Sequence, residues 1–367
     1  MRSNTITRGF ALLAFLLVAL LAYSLRQKAA ATIQRDSDEA IYLAAAEEFA
    51  SLIQTGNWAG FLETNPTPEH PPLTKIIFGV AIQSQPATPA NAHIDETVFL
   101  PRGQAARRTS AVFGALTAGL LALVNPVGGL LLAMHTMTIK YTSEIMLEAV
   151  AAFTSLAAVL CYVRYKKQPK SIWWIASAVF LGLTAANKYM YAIAGFAILA
   201  DWVLSNFQTG GRWGAFFKRS ALWGIISLLA FFVFNPFLWQ DPIQRLGDSL
   251  LFHSNYSQNA PEVVNLDFPF YQPFIWLNTS AKDWHPENTF IYSLDNFILI
   301  MGVLGLVRLW RKERVFVLWL IVGIVFLLLW NTKWPQYTIM VSAPIALSAG
   351  EATTVILQSI WKDFRKQ

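Results

Sequence analysis

Phe10-Ala11-Leu12-Leu13-Ala14-Phe15-Leu16-Leu17-Val18-Ala19-Leu20-Leu21-Ala22-Tyr23-Ser24-Leu25 carries no charged residue and follows Arg2 and Arg8. A helix crosses hydrocarbon with about 20 apolar residues, or as few as about 17, so this stretch reads as a first membrane span. Ala29-Ala30-Ala31 would also suit cleavage of a signal peptide. Retention is the preferred reading, and either way the next polar interval emerges on the outer side.

Similar apolar runs recur at Thr109–Val124, Pro126–Ile139, Ile145–Val163, Ile172–Ala186, Tyr189–Leu204, Ala221–Trp239, Phe290–Leu309, Val315–Trp330 and Tyr337–Leu357. Together they predict an all-α polytopic membrane protein of about ten spans, with the 367 residues forming one domain. Composition agrees. The chain is 55% hydrophobic and 14% charged, whereas a soluble domain carries about 25% charged residues. The net charge of +6 is dispersed in short loops, which excludes a nucleic-acid footprint and matches loops facing an anionic leaflet. Cys161 is the one cysteine, so no intrachain disulfide or cysteine metal site exists.

The basic clusters orient the chain. With the N-terminus inside, Arg164-Tyr165-Lys166-Lys167, Lys170, the Arg212–Arg219 loop, the Arg308–Arg314 loop and the Lys362–Lys366 tail all fall in the cytoplasm, the positive-inside pattern. The outer side then receives the long first interval (residues 26–108), Lys140 to Glu144, Asn187-Lys188, a second long interval (residues 240–289) and Asn331 to Gln336. Carboxylates, histidines and prolines collect on that one face.

In the first interval Asp36 reads as an N-cap with Glu39 three residues on, a capping box. Ile41, Ala45, Phe49, Leu52 and Ile53 follow at helical spacing, predicting an amphipathic helix that lies on the membrane surface. The bland role for Asp38 and Glu39 is acids in a helix first turn, favoured by its dipole. Further on, Pro66, Pro68, Pro71 and Pro72 stiffen the approach to a short apolar helix, Leu73 to Ile82, with Glu69 and His70 at its mouth. His93, Asp95 and Glu96 receive no role.

These segments taken in order resemble a known family. Asp38-Glu39-Ala40, Glu69-His70-Pro71-Pro72-Leu73-Thr74-Lys75, Arg107-Arg108-Thr109-Ser110, Lys140 to Glu148, Gly182 to Tyr189 and Lys333 to Tyr337 look like the C-type (GT-C) membrane glycosyltransferases. Within these, the chain is similar to the dolichyl-phosphate-mannose protein mannosyltransferases and the aminoarabinose transferases acting on lipid A. It departs from them in carrying Glu69 and Glu148 where Asp is usual, Lys140-Tyr141 where Arg-Tyr is common, and none of the extra spans or sensor domain of longer relatives. The resemblance implies an inverting transfer of a sugar from a polyprenyl (dolichyl) phosphate donor to an acceptor hydroxyl outside the membrane. The acceptor is a protein in an O-mannosylation-like reaction, or alternatively lipid A or another glycolipid or polysaccharide.

Such chemistry needs a base, cations for the departing phosphate and a groove for the lipid tail. Asp38 suits the base, because partial desolvation at the water boundary raises a carboxyl pKa towards the working range. Glu39 is its expected partner. Substrate contacts are expected from Glu69, His70, Lys75, Arg108, Glu148, Lys188, Lys333 and Tyr337. Lys188 stands out as a lone cation between apolar runs, although a snorkelling lysine would look the same. Arg108 is preferred over lysine for bidentate phosphate binding. Asp38, His70 and Glu148 are weak candidates for a divalent metal. Aromatic residues of the second long interval, such as Phe268, Phe270, Tyr271 and Trp276, either stack on sugar or lie on lipid; His253 and His285 receive no partner. The rivals are a lipid-linked-sugar transporter, which would place polar sites at mid-membrane in repeated halves, and a non-catalytic membrane scaffold.

Overall fold

The computed structural model of the chain describes residues 2–285 and 289–365, with side chains from residue 9 onward. Lys366 of the basic tail and the side chains of Arg2 and Arg8 lie outside the described residues. The described residues form helices and no strands, as the apolar runs predict.

Helix α1 (Arg2–Thr32) leads into α2 (Ser37–Thr55), a short α3 (Gly60–Glu63) and α4 (Leu73–Ile82). The Asp36 cap forms as read: its side chain accepts from the Asp38 amide, and Glu39 Oε2 accepts from the Asp36 amide at 3.0 Å. The apolar face of α2 packs on α4, and Tyr42, Ala46, Phe49 and Ala50 are buried. The expected amphipathic helix forms, with Ala45 and Phe49 of its apolar set buried inside the fold and Ile41 exposed. Gly79 of α4 lets the two helices close, since a Cβ there would meet the Phe49 Cβ at 2.8 Å.

Next come α5 (Pro101–Ala122), α6 (Pro126–Met134), α7 (Thr136–Tyr141) and α8 (Glu148–Lys167). The apolar run Pro126–Ile139 is therefore not one span. His135 is extended (φ −69°, ψ 115°), and its Nδ1 accepts from the Thr138 amide at 3.3 Å, so it ends α6 and caps α7. At 1.5 Å per residue, α6 reaches only about 14 Å. Arg26 of α1 braces the break, donating to Ala133 O at 3.3 Å and Thr142 Oγ1 at 2.7 Å.

The chain continues through α9 (Ser171–Asn187), α10 (Ala194–Gln208), α11 (Trp213–Val233), α12 (Pro242–Asn259), α13 (Pro261–Val264), α14 (Gln272–Asn278), α15 (Asp295–Leu329) and α16 (Ile339–Phe364). Two expected spans fall within α15, as arms meeting at a kink at Glu313 (φ −149°, ψ 71°). Among the described residues, five segments are long and apolar enough to cross a membrane: Gly9–Thr32, Glu148–Lys167, Tyr189–Gln208, Trp213–Val233 and Pro335–Phe364. The chain is an integral membrane protein. Burial separates the roles of its spans: 72% of the apolar window of α8 and of α16 is inside the fold, against 17% for α1 and 22% for α11. Helices α8 and α16 form the centre, and α1 and α11 turn Leu16, Leu20, Leu228 and Leu229 outward, as lipid-facing helices do.

Ionic clusters tie the basic ends together. Asp201 of α10 accepts from Tyr162 Oη and Lys166 Nζ, both at 2.7 Å, and from Arg314. Glu351 of α16 accepts from Arg308 at 2.8 Å, Lys312 at 2.5 Å and Asn125 at 3.1 Å. Lys166, Arg308, Lys312 and Arg314 belong to the basic segments that the charge pattern assigns to the cytoplasm. With that end fixed, the opposite ends of the same helices present the polar residues discussed next.

Candidate active site

Four elements meet at the face opposite the ionic clusters. The α2 first turn brings Asp38, and the proline-stiffened segment before α4 brings Glu69 and His70. The start of α8 brings Glu148, and the α9–α10 junction brings Lys188. Lys188 and Glu148 form a buried ion pair. The Glu148 Oε2 atom has no other partner, and Lys188 Nζ lies 5.2 Å from the centre of the Tyr337 ring, a cation–π contact.

Above this pair opens a cavity of about 290 Å³. Its floor is His70, Lys188 and Tyr337, and its walls are Met190, Ile193, Phe196, Leu250, Phe326 and Trp330. One end is thus cationic and polar while the rest is apolar, the form that suits an amphiphile with an anionic head. Helix α12 closes the polar end. Ser249 Oγ and His253 Nε2 each sit 3.1 Å from Glu69 O, and the His253 ring centre is 5.3 Å from that of His70. Burial, with the cationic Lys188 alongside, lowers the His70 pKa well below the ordinary histidine value, so the ring is neutral at pH 7. The sequence alone assigns His253 no partner. Its signal was weak: only its i, i+4 spacing from Ser249 places both on the inner face of α12.

Asp38 is half-buried beside this floor, close enough to feel the charges of Asp36, Lys188, Glu148 and Glu69. Its carboxylate accepts no hydrogen bond among the described residues. Burial chiefly, then the neighbouring Asp36 carboxylate, pushes its pKa up to about 6.

The other expected site residues go elsewhere. Glu39 points away from Asp38. Arg107 Nε donates to Glu39 Oε1 at 2.8 Å and Nη2 to Oε2 at 2.6 Å, with both side chains 0% exposed. The Ile145 amide donates to Glu39 Oε1 at 2.8 Å. Glu39 therefore fastens α2 to α5 and to the segment before α8, leaving no free face for substrate. Arg107 also donates to the carbonyls of Ala30 and Ile33, at 2.9 and 2.8 Å. Arg108, expected to bind phosphate, is exposed, about 100° around α5 from Arg107. Lys75 is buried, and its Nζ holds Thr67 Oγ1 at 2.7 Å, Thr67 O at 2.8 Å and His70 O at 3.0 Å, shaping the loop that carries His70. Lys333 caps the end of α15 through Leu327 O at 2.8 Å and Leu328 O at 2.9 Å. Lys140 bridges Asp36 at 3.2 Å and Glu144 at 2.7 Å. No three His, Cys, Asp or Glu side chains among the described residues are grouped to hold a metal ion, so Asp38, His70 and Glu148 do not form such a set.

A sharp contrast follows for neighbouring arginines. Arg107→Met should lower the thermal midpoint of the purified protein severely, because it strands the buried Glu39 carboxylate at a cost of about 3–5 kcal/mol. Arg108→Ala should stay within about 0.5 kcal/mol of wild type. Equal melting of the two variants would remove Arg107–Glu39 as the clamp.

The architecture is an all-helical membrane bundle with one polar face built on the first interhelical loop. Among solved structures it matches ArnT from Cupriavidus metallidurans, in the apo state with a TM-score of 0.59 and bound to undecaprenyl phosphate with a TM-score of 0.64. Each is 16% identical in sequence, and the match covers 94% of this chain. The chain spans 59% and 60% of the length of those two structures. No protein-family model and no curated protein matches it.

Proposed function

We propose that the protein is a glycosyltransferase that moves a sugar from a polyprenyl phosphate to an acceptor hydroxyl on the extracytoplasmic face of the membrane. The observation that carries this reading is the unpaired, half-buried Asp38 beside the Lys188–Glu148 pair, at the polar end of an apolar cavity. The solved relative bound to undecaprenyl phosphate supports the donor class.

The polyprenyl chain lies along Met190, Ile193, Phe196 and Phe326, and its phosphate meets Lys188, Tyr337 and the neutral His70. Lysine has three N–H donors, so Lys188 binds phosphate while still paired with Glu148. The Asp38 carboxylate takes the proton of the acceptor hydroxyl as that oxygen attacks the anomeric carbon. The bond from that carbon to the phosphate oxygen breaks, and the phosphate leaves with the electron pair, stabilised by Lys188. One displacement inverts the anomeric centre, and Asp38 then returns its proton to water. On the sequence resemblance the acceptor is a protein hydroxyl first, as in O-mannosylation, and a glycolipid or polysaccharide second.

The raised pKa sets the pH profile. Asp38 must be ionised to act, so transfer should fall as pH drops through about 6, roughly tenfold per pH unit below it. The check is transfer from labelled polyprenyl-phosphate sugars by proteoliposomes between pH 4.5 and 8. A flat profile would remove Asp38 as the base. Movement of intact lipid-linked sugar across the bilayer without release of sugar would favour a transporter.

A further inference from the structure

The first turn of α2 is held at more points than a helix start needs. Asp36 Oδ1 accepts from the Asp38 amide at 3.3 Å, which completes the cap. The other carboxylate oxygen, Oδ2, accepts from Lys140 Nζ of α7 at 3.2 Å. The Lys140 side chain is only 5% exposed, and Glu144 Oε1 accepts from the same ammonium at 2.7 Å. A cap requires no charge, since Asn and Ser serve at N-cap as well as Asp does. Nor does a cap require a buried lysine brought to it from another helix. The break at His135 makes that reach possible, because it starts the six-residue α7 that carries Lys140.

We propose that Asp36 and Lys140 are a positioning pair for Asp38: they fix the helix turn that carries this carboxylate and set the electric field in which it works. This rests on the glycosyltransferase reading above. Asp38 is faced by Asp36 from its own helix start, by Glu69 from the segment before α4, by Glu148 from α8 and by Lys188 from the α9–α10 junction. The phenols of Tyr42, Tyr141, Tyr256 and Tyr337 also feel its charge. Lys188 and Glu148 pair with each other, so their opposite charges largely offset at Asp38. Asp36 acts on Asp38 more strongly than the other charges do. A like charge strengthens a carboxylate as a base, and the Lys140 ammonium moderates that push. Burial pushes the Glu144 carboxyl up, towards its uncharged form, which leaves the Lys140 charge to Asp36. A base that is too strong is protonated at the working pH, and one that is too weak takes the acceptor proton poorly. The balance between Asp36 and Lys140 therefore decides how Asp38 performs, although neither need touch substrate.

The test separates the cap from the charge. Asp36→Asn keeps the cap and removes the charge. The acid limb of the transfer–pH profile should move down by about half a pH unit to one unit, and the plateau rate should fall about two- to threefold, as for a weaker base. Lys140→Met leaves Asp36 without its counter-charge, so the limb should move up by a similar amount. Asp36→Ala removes cap and charge together. It should lose about tenfold more kcat than Asp36→Asn with KM unchanged, the cost of a misplaced base. Thermal melting checks that each variant folds, and if Lys140→Met does not, the two Asp36 variants carry the test. Infrared titration of the carboxyl band in nanodiscs, with Asp38→Asn as the blank, follows Asp38 without turnover and should show the same shifts. Limbs that stay at the wild-type pH in Asp36→Asn, shifts of the same sign in Asp36→Asn and Lys140→Met, or equal losses in Asp36→Asn and Asp36→Ala would overturn the proposal. If the infrared shifts appear while no sugar is transferred, the pair stands and the glycosyltransferase reading fails. If transfer depends on Asp38 but neither its limb nor its infrared titration responds to Asp36, that reading stands and the pair fails.

Discussion

Asp38→Asn protein should assemble normally, melt above wild type, and transfer sugar about a hundred- to ten-thousand-fold more slowly. The rate loss is that of a general base in the transition state. Asparagine keeps the size and the helix-start position of Asp38 but cannot take a proton. The gain in stability comes from the environment that makes Asp38 useful. Its pKa is raised from 3.8 to about 6, so the carboxyl ionises more readily in the unfolded chain than in the folded one. The folded state is therefore favoured below pH 3.8, and this contribution is lost as pH rises through about 6. At pH 7 the whole penalty is present. A shift of this size corresponds to about 3 kcal/mol, reduced to about 1–2 kcal/mol because Asp38 is only half-buried and partly screened. The neutral amide removes that penalty. Thermal melting in detergent and transfer assays on the same preparation read both halves. A variant that loses activity and stability together would make Asp38 a structural residue, and one that keeps full transfer would leave the reaction without this base.

The sequence carried more of the fold than of the site, for reasons visible at individual positions. The Asp36–Glu39 capping box and the start of α4 after Pro72 are local features, fixed by a few adjacent residues, and both form as read. The basic loops depend only on which end of each helix they occupy, and the Asp201 and Glu351 clusters gather those ends. Direction around a helix is another matter. Arg107 and Arg108 are about 100° apart on α5, and their order in the chain does not say which faces inward. Arg107 turns to Glu39, and Arg108 faces out. Lys75 and Lys333 are expected among the substrate contacts because they stand in the motifs that carry the family resemblance, yet each satisfies backbone carbonyls nearby. The continuous run Pro126–Ile139 concealed a break because one histidine, His135, interrupts it. His253 could be recognised only once α12 was seen to fold back over Glu69 and His70.

The Lys188–Glu148 pair separates holding the fold from binding the donor. Lys188→Met alone should be strongly destabilised, by about 3–5 kcal/mol, because Glu148 then loses its single partner in a buried site. Glu148→Gln alone should fold better but leave the Lys188 ammonium without its carboxylate. The double variant, Lys188→Met with Glu148→Gln, removes both charges and replaces them with uncharged groups of similar volume. It should recover most of the stability lost by Lys188→Met, as buried pairs exchanged for well-packed neutral groups commonly do. Donor binding should not recover. A charged hydrogen bond to phosphate is worth about 1.5–3 kcal/mol, so the affinity of the double variant for undecaprenyl phosphate should remain at least about tenfold below wild type. The coupling in stability and the absence of coupling in lipid binding together assign Lys188 both roles. If the double variant regains stability and binds undecaprenyl phosphate as wild type does, the pair only holds α8 to the α9–α10 junction. The phosphate must then be met by other polar groups around the cavity, among them His70, Tyr189, His253 and Tyr337.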